Sequence, residues 1–349
     1  IEILAPGDPN DISGYTSDSG SRYLKEGTTD VCYSIEFEND PELANASAHT
    51  ITVTDTLDAA HFDLTSFEPT SVKIGRKTMT LNGETSFSNK TLDLRPESEV
   101  VAQVSLKYDE QKGIAKWTIE SLDPMTMEPI ADAYRGVLPV NTDGNGMGEL
   151  TFDIKLKPGL QDGDEVSNRA SIVFDQEAAI MTPIWTNIVD GVNPISRVTN
   201  VAQTTDSTAV VQITASDERS KPWQYDLYRQ NGVGAPWQRE AVGVPADSSV
   251  VIAIESGVNY GFYVVMTDSA GNVEQKQAVR EFTLNLSGVT PGDVNSDGVT
   301  DTQDAIKVTQ FYLKKNPTDF LEEASDVNGD GTTDTQDAIK IIKIYLKKE

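Results

Sequence analysis

The C-terminal stretch of the chain is written twice. Asp293-Val-Asn-Ser-Asp-Gly-Val-Thr-Asp-Thr-Gln-Asp304 recurs 33 positions later as Asp326-Val-Asn-Gly-Asp-Gly-Thr-Thr-Asp-Thr-Gln-Asp337. Each copy runs on into an apolar segment, ending Tyr312-Leu313-Lys314-Lys315 and Tyr345-Leu346-Lys347-Lys348. Side-chain oxygens at positions 1, 3, 5, 9 and 12, a main-chain carbonyl at 7 and glycine at 6 are the donor spacing of a twelve-residue calcium loop. The first donor set is Asp293, Asn295, Asp297, the Val299 carbonyl, Asp301 and Asp304, turning at Gly298. The second is Asp326, Asn328, Asp330, the Thr332 carbonyl, Asp334 and Asp337, turning at Gly331. One match could arise by chance; two complete ones in tandem are not plausibly so.

Calcium accounts for the residue types. It is a hard cation that takes six to eight oxygens in a flexible shell, so carboxylates and amide oxygens suit it. Four carboxylates crowded into one loop repel until a dication neutralises them, so folding here is expected to be coupled to two calcium ions. The segment is also too short to bury a large core and needs such a staple. Solvated turns explain Asp-Asn-Gly runs in general, but turn chemistry does not require acids at positions 9 and 12 in both copies. A third stretch, Asn141-Thr-Asp-Gly-Asn-Gly-Met-Gly-Glu149, mimics the start of such a loop but has Phe152 at position 12, and is read as a tight turn before a strand.

Position 12 is Asp where an EF-hand has the longer Glu, and Ser287-Gly-Val-Thr-Pro-Gly292 before the first loop is no helix. What remains is a loop followed by one helix, twice. This duplicated pattern, Gly-Asp-Val-Asn-x-Asp-Gly with Asp at position 12 and an apolar helix ending Tyr-Leu, resembles a type I dockerin over residues 291–349. The resemblance implies calcium-dependent docking to a cohesin domain on a scaffoldin. The family's recognition positions fall here on Thr302, Gln303, Thr309, Gln310 and Lys314, and on Thr335, Gln336, Ile342, Lys343 and Lys347. Matching faces in this family allow a partner to bind in two orientations. The Thr309/Gln310 versus Ile342/Lys343 mismatch argues against equal use, and the face with exposed Ile342 is expected to be preferred, unless Ile342 packs inward. Ala305, Val308 and Tyr312, and likewise Ala338, Ile341 and Tyr345, fall on one helical face and are predicted to form the inner stripe, extended by Leu313 and Leu346. Residues 317–325 read as a short linking helix anchored by Phe320 and Leu321.

The remainder is predicted to be mainly β: two β-sandwich domains ahead of a small all-α calcium-binding module. The expected boundaries are 1–190, 191–288 and 291–349, at glycine- and proline-bearing junctions. In the middle region strands are expected at Ala209–Thr214, Tyr225–Arg229, Val250–Ile254, Tyr260–Thr267 and Ala278–Leu286. Gly257-Val-Asn-Tyr-Gly-Phe-Tyr-Val-Val-Met-Thr-Asp-Ser-Ala-Gly-Asn-Val273 resembles the penultimate strand and turn of a fibronectin type III or immunoglobulin-like module. Such a module before a dockerin is similar to companions that pack on the dockerin. In the first region Val31, Tyr33, Ile35 and Phe37 alternate with polar residues. Further strands are expected at Ile51–Thr54, Val100–Tyr108, Ala115–Glu120, Glu149–Leu156 and Asn168–Phe174, with 123–133 an irregular insertion. Ser171-Ile-Val-Phe-Asp-Gln176 and Ile180-Met-Thr-Pro183 loosely resemble the closing strands of sandwich domains in large bacterial surface proteins.

Composition narrows the partners. The net charge is −27, with 28 basic against 55 acidic residues, which disfavours nucleic acid and anionic membrane surfaces. No run is long or apolar enough for membrane insertion. Cys32 is the only cysteine, so no disulfide forms within the chain. A start at Ile1 without methionine or signal peptide suggests a piece of a larger precursor. Secretion or cell-surface association in a bacterium follows from the dockerin resemblance alone. His49 and His61 are the only histidines, and neither a nucleophile elbow nor a phosphate loop is present. No catalytic residue is therefore assigned, and the chain is read as a non-catalytic attachment region of a cellulosome-like system for polysaccharide metabolism. The alternatives are an adhesin or carbohydrate-binding protein, with Trp117, Trp185, Trp223 and Trp237 as glycan candidates, and, more remotely, a polysaccharide-acting enzyme using an Asp/Glu pair.

Overall fold

The computed structural model describes residues 10–286 and 289–347. Ser287 and Gly288 of the expected junction, and Lys348 of the second Tyr-Leu-Lys-Lys run, lie outside the described residues. The chain divides into two units, Ile1–Gly191 and Val192–Glu349.

The first unit begins with β1 (Asp11–Gly14), β2 (Tyr23–Lys25), β3 (Asp30–Glu38) and β4 (Thr50–Thr56). It continues through β5 (Phe62–Ile74), β6 (Lys77–Thr80), β7 (Phe87–Asp93), β8 (Val101–Asp109) and β9 (Ile114–Leu122). It ends with β10 (Met147–Leu156), β11 (Glu165–Asn168), β12 (Ala170–Phe174), β13 (Ile180–Met181) and β14 (Trp185–Asp190). A sheet ordered β1-β3-β10-β5-β6 and one ordered β13-β12-β4-β9-β8-β7 enclose the core, and β11-β14-β2 form a third, smaller sheet. The alternation read at Val31, Tyr33, Ile35 and Phe37 holds, and all four are buried. Tyr33 stacks on Phe152 at 5.5 Å between ring centres, and Phe152 meets Phe67 at 5.2 Å. Fully burying an aromatic of this kind contributes about 1.5–3 kcal/mol.

Two expectations are corrected here. Residues 168–174 are not one strand: Asn168 ends β11, Ala170 begins β12, and the two belong to different sheets. Trp117 and Trp185 are core residues, 0% and 9% exposed, and cannot present a face to a glycan.

The second unit contains β15 (Ile195–Thr205), β16 (Thr208–Ser216), β17 (Pro222–Asn231), β18 (Gln238–Pro245), β19 (Val250–Ala253), β20 (Asn259–Asp268) and β21 (Phe282–Asn285). They pair as a three-stranded sheet, β15-β16-β19, and a four-stranded sheet, β18-β17-β20-β21. Tyr260, Phe262, Val264 and Met266 fill the core as their shared face requires. The last strand is shorter than expected, because Ala278–Arg280 run outside any strand. Trp223 and Trp237 are half-buried, and Trp237 meets Tyr263 edge-on at 4.7 Å.

The tail follows in the same unit, with helices α1 (Thr302–Tyr312) and α2 (Thr335–Tyr345) and a short 3-10 turn at Glu322–Ala324 between them. Among the described residues, no helix is long and apolar enough to cross a membrane.

One buried acid in the first unit has a consequence for stability. Asp55 is fully buried on β4 and accepts a hydrogen bond from Asn168 Nδ2 at 2.8 Å. Burial pushes its pKa up to about 7, against the lowering effect of hydrogen bonds from Asn168 and the Thr56 amide. The folded chain therefore keeps a proton that the unfolded chain releases above pH ~4, so this group's contribution falls as pH rises from there to about 7. We expect Asp55→Asn to flatten a decline of up to about 1.4 kcal/mol per pH unit, measured as urea midpoints of the first unit between acidic and neutral pH.

Candidate metal centre and docking face

Each calcium-loop sequence is closed by its position-12 aspartate. Asp304 Oδ1 accepts the amides of Val294 (2.9 Å) and Asn295 (3.2 Å), while Oδ2 accepts that of Asp301 (2.9 Å). Asp337 repeats this, with Val327 (2.9 Å) and Asn328 (3.0 Å) on Oδ1 and Asp334 (2.9 Å) on Oδ2. At the loop entrance Asp293 accepts Asp297 and Gly298 amides, and Asp326 accepts those of Gly329 and Gly331. Asn295 and Asn328 lean on Asp297 and Asp330. Gly292, just before the first loop, could not carry a side chain, since a Cβ there would lie 2.7 Å from Thr300 Cγ2.

The acids at positions 9 and 12 have a second role, which the spacing of a calcium loop does not reveal. Asp301 and Asp334 are the N-caps of α1 and α2, and with Asp304 and Asp337 they form capping boxes. Acids at these two positions therefore do not by themselves require a metal. What favours a cation is burial: Asp304 and Asp337 are 0% exposed, and Asp293 and Asp326 nearly buried. Ionised carboxylates at that depth are costly unless a positive charge is supplied. Burial raises the pKa of Asp326, outweighing the Gly331 and Gly329 amides, and the charges of Asp337 and Asp330 add to the rise. Asp330 is held below the usual range, since hydrogen bonds from Thr332 and Asn328 overcome its burial. An all-oxygen donor set with crowded negative charge fits calcium, which would supply the missing positive charge at Asp293, Asn295, Asp297, Val299, Asp301 and Asp304 and at their counterparts in the second loop.

The core beneath the loops is small: Val294, Ala305, Val308, Ala324, Ala338 and Ile341. Phe320 and Leu321 pack against it, and Phe320 stacks on Phe311 at 4.6 Å. The inner stripe is shorter than predicted. Tyr312, Leu313, Tyr345 and Leu346 are each about half exposed or more, because the last helical turns overhang this core. The third inward contact of α1 is Phe311, one residue earlier. Thr302, Gln303, Lys314, Thr335, Gln336, Ile342, Lys343 and Lys347 are exposed, and Thr309 and Gln310 are half-buried. Ile342 is 38% exposed and does not join the core. The Thr309 hydroxyl instead turns inward and donates to the Ala305 carbonyl at 2.8 Å.

Asp304→Asn keeps the side-chain shape but loses one charge and one acceptor. We expect it to lower metal-free stability by about 1.5–3 kcal/mol, the loss of one charge-assisted bond, and in addition to lose most of the calcium-induced rise in the tail's unfolding temperature, read by calorimetry with calcium and with chelator.

Residues 291–346 match the family model described as the dockerin type I domain. Residues 8–124 and 135–188 match a domain of unknown function. No curated protein matches the chain. Among solved structures, a variant of the major pilin subunit of Bacillus cereus is 13% identical, with a TM-score of 0.31, covering 81% of this chain and 67% of that one. A collagen-binding domain from a Staphylococcus aureus adhesin is 11% identical, with a TM-score of 0.26, covering 52% and 97%. A type II cohesin dyad from a scaffoldin of Acetivibrio cellulolyticus is 8% identical, with a TM-score of 0.23, covering 76% and 97%. These scores are low, and the sandwich architecture stands on the strands described above. Across residues 291–346, this chain carries a dockerin type I domain.

Proposed function

We propose that the chain is a non-catalytic attachment region of a secreted bacterial protein, and that its dockerin binds two calcium ions and plugs into a cohesin on a scaffold, as in a cellulosome-like assembly. The observation that carries this reading is the duplicated loop–helix unit, in which two complete oxygen donor sets lead into helices whose outward faces are free of the core. Two sandwich domains ahead of it would act as spacers between that plug and the rest of the protein.

The exposed apolar residues support a docking surface and give it a direction. Helix α1 and its end present Ile306, Tyr312 and Leu313; α2 and its end present Ile339, Ile342, Ile344, Tyr345 and Leu346. Apolar exposure on this scale in so small a module is a mark of an interaction site. Lys314 and Lys347 adopt left-handed backbone, with φ of 57° and 50°, at positions where glycine is the easier residue. Keeping lysine there in both copies favours a role for the side chain itself. The richer apolar face of α2, together with a Thr309 hydroxyl already engaged by its own helix, favours the orientation centred on Ile342.

Calorimetry of the full chain against a panel of type I cohesins tests this. Binding is expected with calcium and lost with chelator, and Ile342→Ala is expected to weaken it by about tenfold or more while Thr309→Ala has a smaller effect. Calcium-independent binding, or none to any cohesin, would remove the reading. Equal losses from the two substitutions would remove only the preferred orientation.

A further inference from the structure

The two calcium loops are nearly identical in sequence but not in surroundings. At position 4 the first loop has Ser296 and the second has Gly329, both with left-handed backbone, φ 57° and 78°. Since serine is accommodated in that conformation in one copy, backbone geometry alone does not demand glycine in the other. A neighbour does. A Cβ on Gly329 would lie 2.5 Å from Cδ of Arg280 and 2.9 Å from its Cγ. On its other side the same side chain crosses β20 at Gly261, where a Cβ would lie 2.5 Å from Arg280 Nε. Arg280 thus threads between two glycines, one in the sandwich and one in the second loop.

Its guanidinium is fixed from the sandwich side. Nε donates to Gln230 Oε1 at 2.7 Å, and Nη2 to the Gly232 carbonyl at 2.8 Å. The turn that supplies Gly232 also approaches the loop: a Cβ on Gly331 would sit 3.9 Å from Gly234 Cα. Burial lowers the pKa of Arg280, and the charge of Asp326 works against that lowering, so the guanidinium lies within the electrostatic reach of the first ligand position of the second loop. A cation held there offsets the repulsion among the loop's carboxylates when no metal is bound and repels a dication when one is.

We propose that Arg280 couples the sandwich to the second calcium loop, so that the two loops differ in calcium affinity and a calcium ion in the second loop opposes the seating of Arg280. This rests on the calcium-binding reading above. It makes the two copies unequal in what they sense: the first answers to calcium alone, the second to calcium and to the sandwich together. By linkage, whatever calcium does to the Arg280 contact, the contact does to calcium by the same factor.

Amide resonances of Gly298 and Gly331 in the full chain report the two loops separately as calcium is added. Arg280→Met keeps the aliphatic stem and removes the charge; Gly329→Ser displaces the stem while giving the second loop the residue that the first already accommodates. Both are expected to tighten calcium at Gly331 by about three- to tenfold and to leave Gly298 unchanged, whereas Ser296→Gly leaves Gly331 unchanged. An unaltered or weakened Gly331 response in both Arg280→Met and Gly329→Ser overturns the coupling. If neither glycine responds to calcium in the parent chain, the calcium reading itself fails, which is a different result from an intact pair of sites with no effect of Arg280.

Discussion

A carboxylate that gathers three backbone amides holds the tail together. Asp304 draws Val294, Asn295 and Asp301 to one side chain, and so ties the start of its loop to the start of α1. Asp337 does the same for α2. Hydrogen bonds to a charged group contribute about 1.5–3 kcal/mol each, which matters in a module whose apolar core consists of six mostly small residues. The same arrangement keeps the acids out of water, and that burial is what favours a cation at the loops. Helix capping and the proposed metal binding would thus be two consequences of one geometry.

The small core also decides what faces outward. A pair of eleven-residue helices resting on so few contacts cannot bury their last turns. Tyr312, Tyr345 and the leucines that follow them are left at the surface, where they are available to a partner. In the sandwiches the core is far larger: strands such as β3 and β4 alternate and bury one face, and even a carboxyl such as Asp55 is carried inside by its place on an inward-facing register.

What was legible in the sequence follows from this contrast. The helix that follows each loop and the inward face of β3 and β20 are local patterns, and each appears in the structure where the residues place it. Strands β5 and β7 are not legible in the sequence, because Phe62–Ile74 breaks its alternation at bulges opposite β10, and β7 is polar and largely exposed. The split at Arg169 was not legible either. Continuous β propensity through Asn168–Phe174 hides a change of sheet that only the partners, β14 on one side and β4 on the other, impose. The end of the inner stripe is illegible for a related reason: helical periodicity extends a pattern indefinitely, while the core it faces is finite.

Duplication shows where sequence symmetry stops predicting. The two repeats carry the same residues at the five side-chain donor positions and at the caps, and differ at position 7, Val299 and Thr332, where only a main-chain carbonyl is offered. They also diverge at Ser296 and Gly329, Val308 and Ile341, Thr309 and Ile342, Gln310 and Lys343, and Phe311 and Ile344; Val308 and Ile341 exchange one core aliphatic for another, while Ser296/Gly329 and Thr309/Ile342 meet different surroundings. Gly329 is explained by Arg280 of the sandwich, a residue with no local relation to the loop. Ile342 stands clear of the core and lacks an internal partner of the kind Thr309 finds in the Ala305 carbonyl. At these two pairs the difference between the copies matches a difference in what surrounds them. The coupling proposed for Arg280 would add a functional difference to that structural one, since only the second loop lies against this residue of the sandwich.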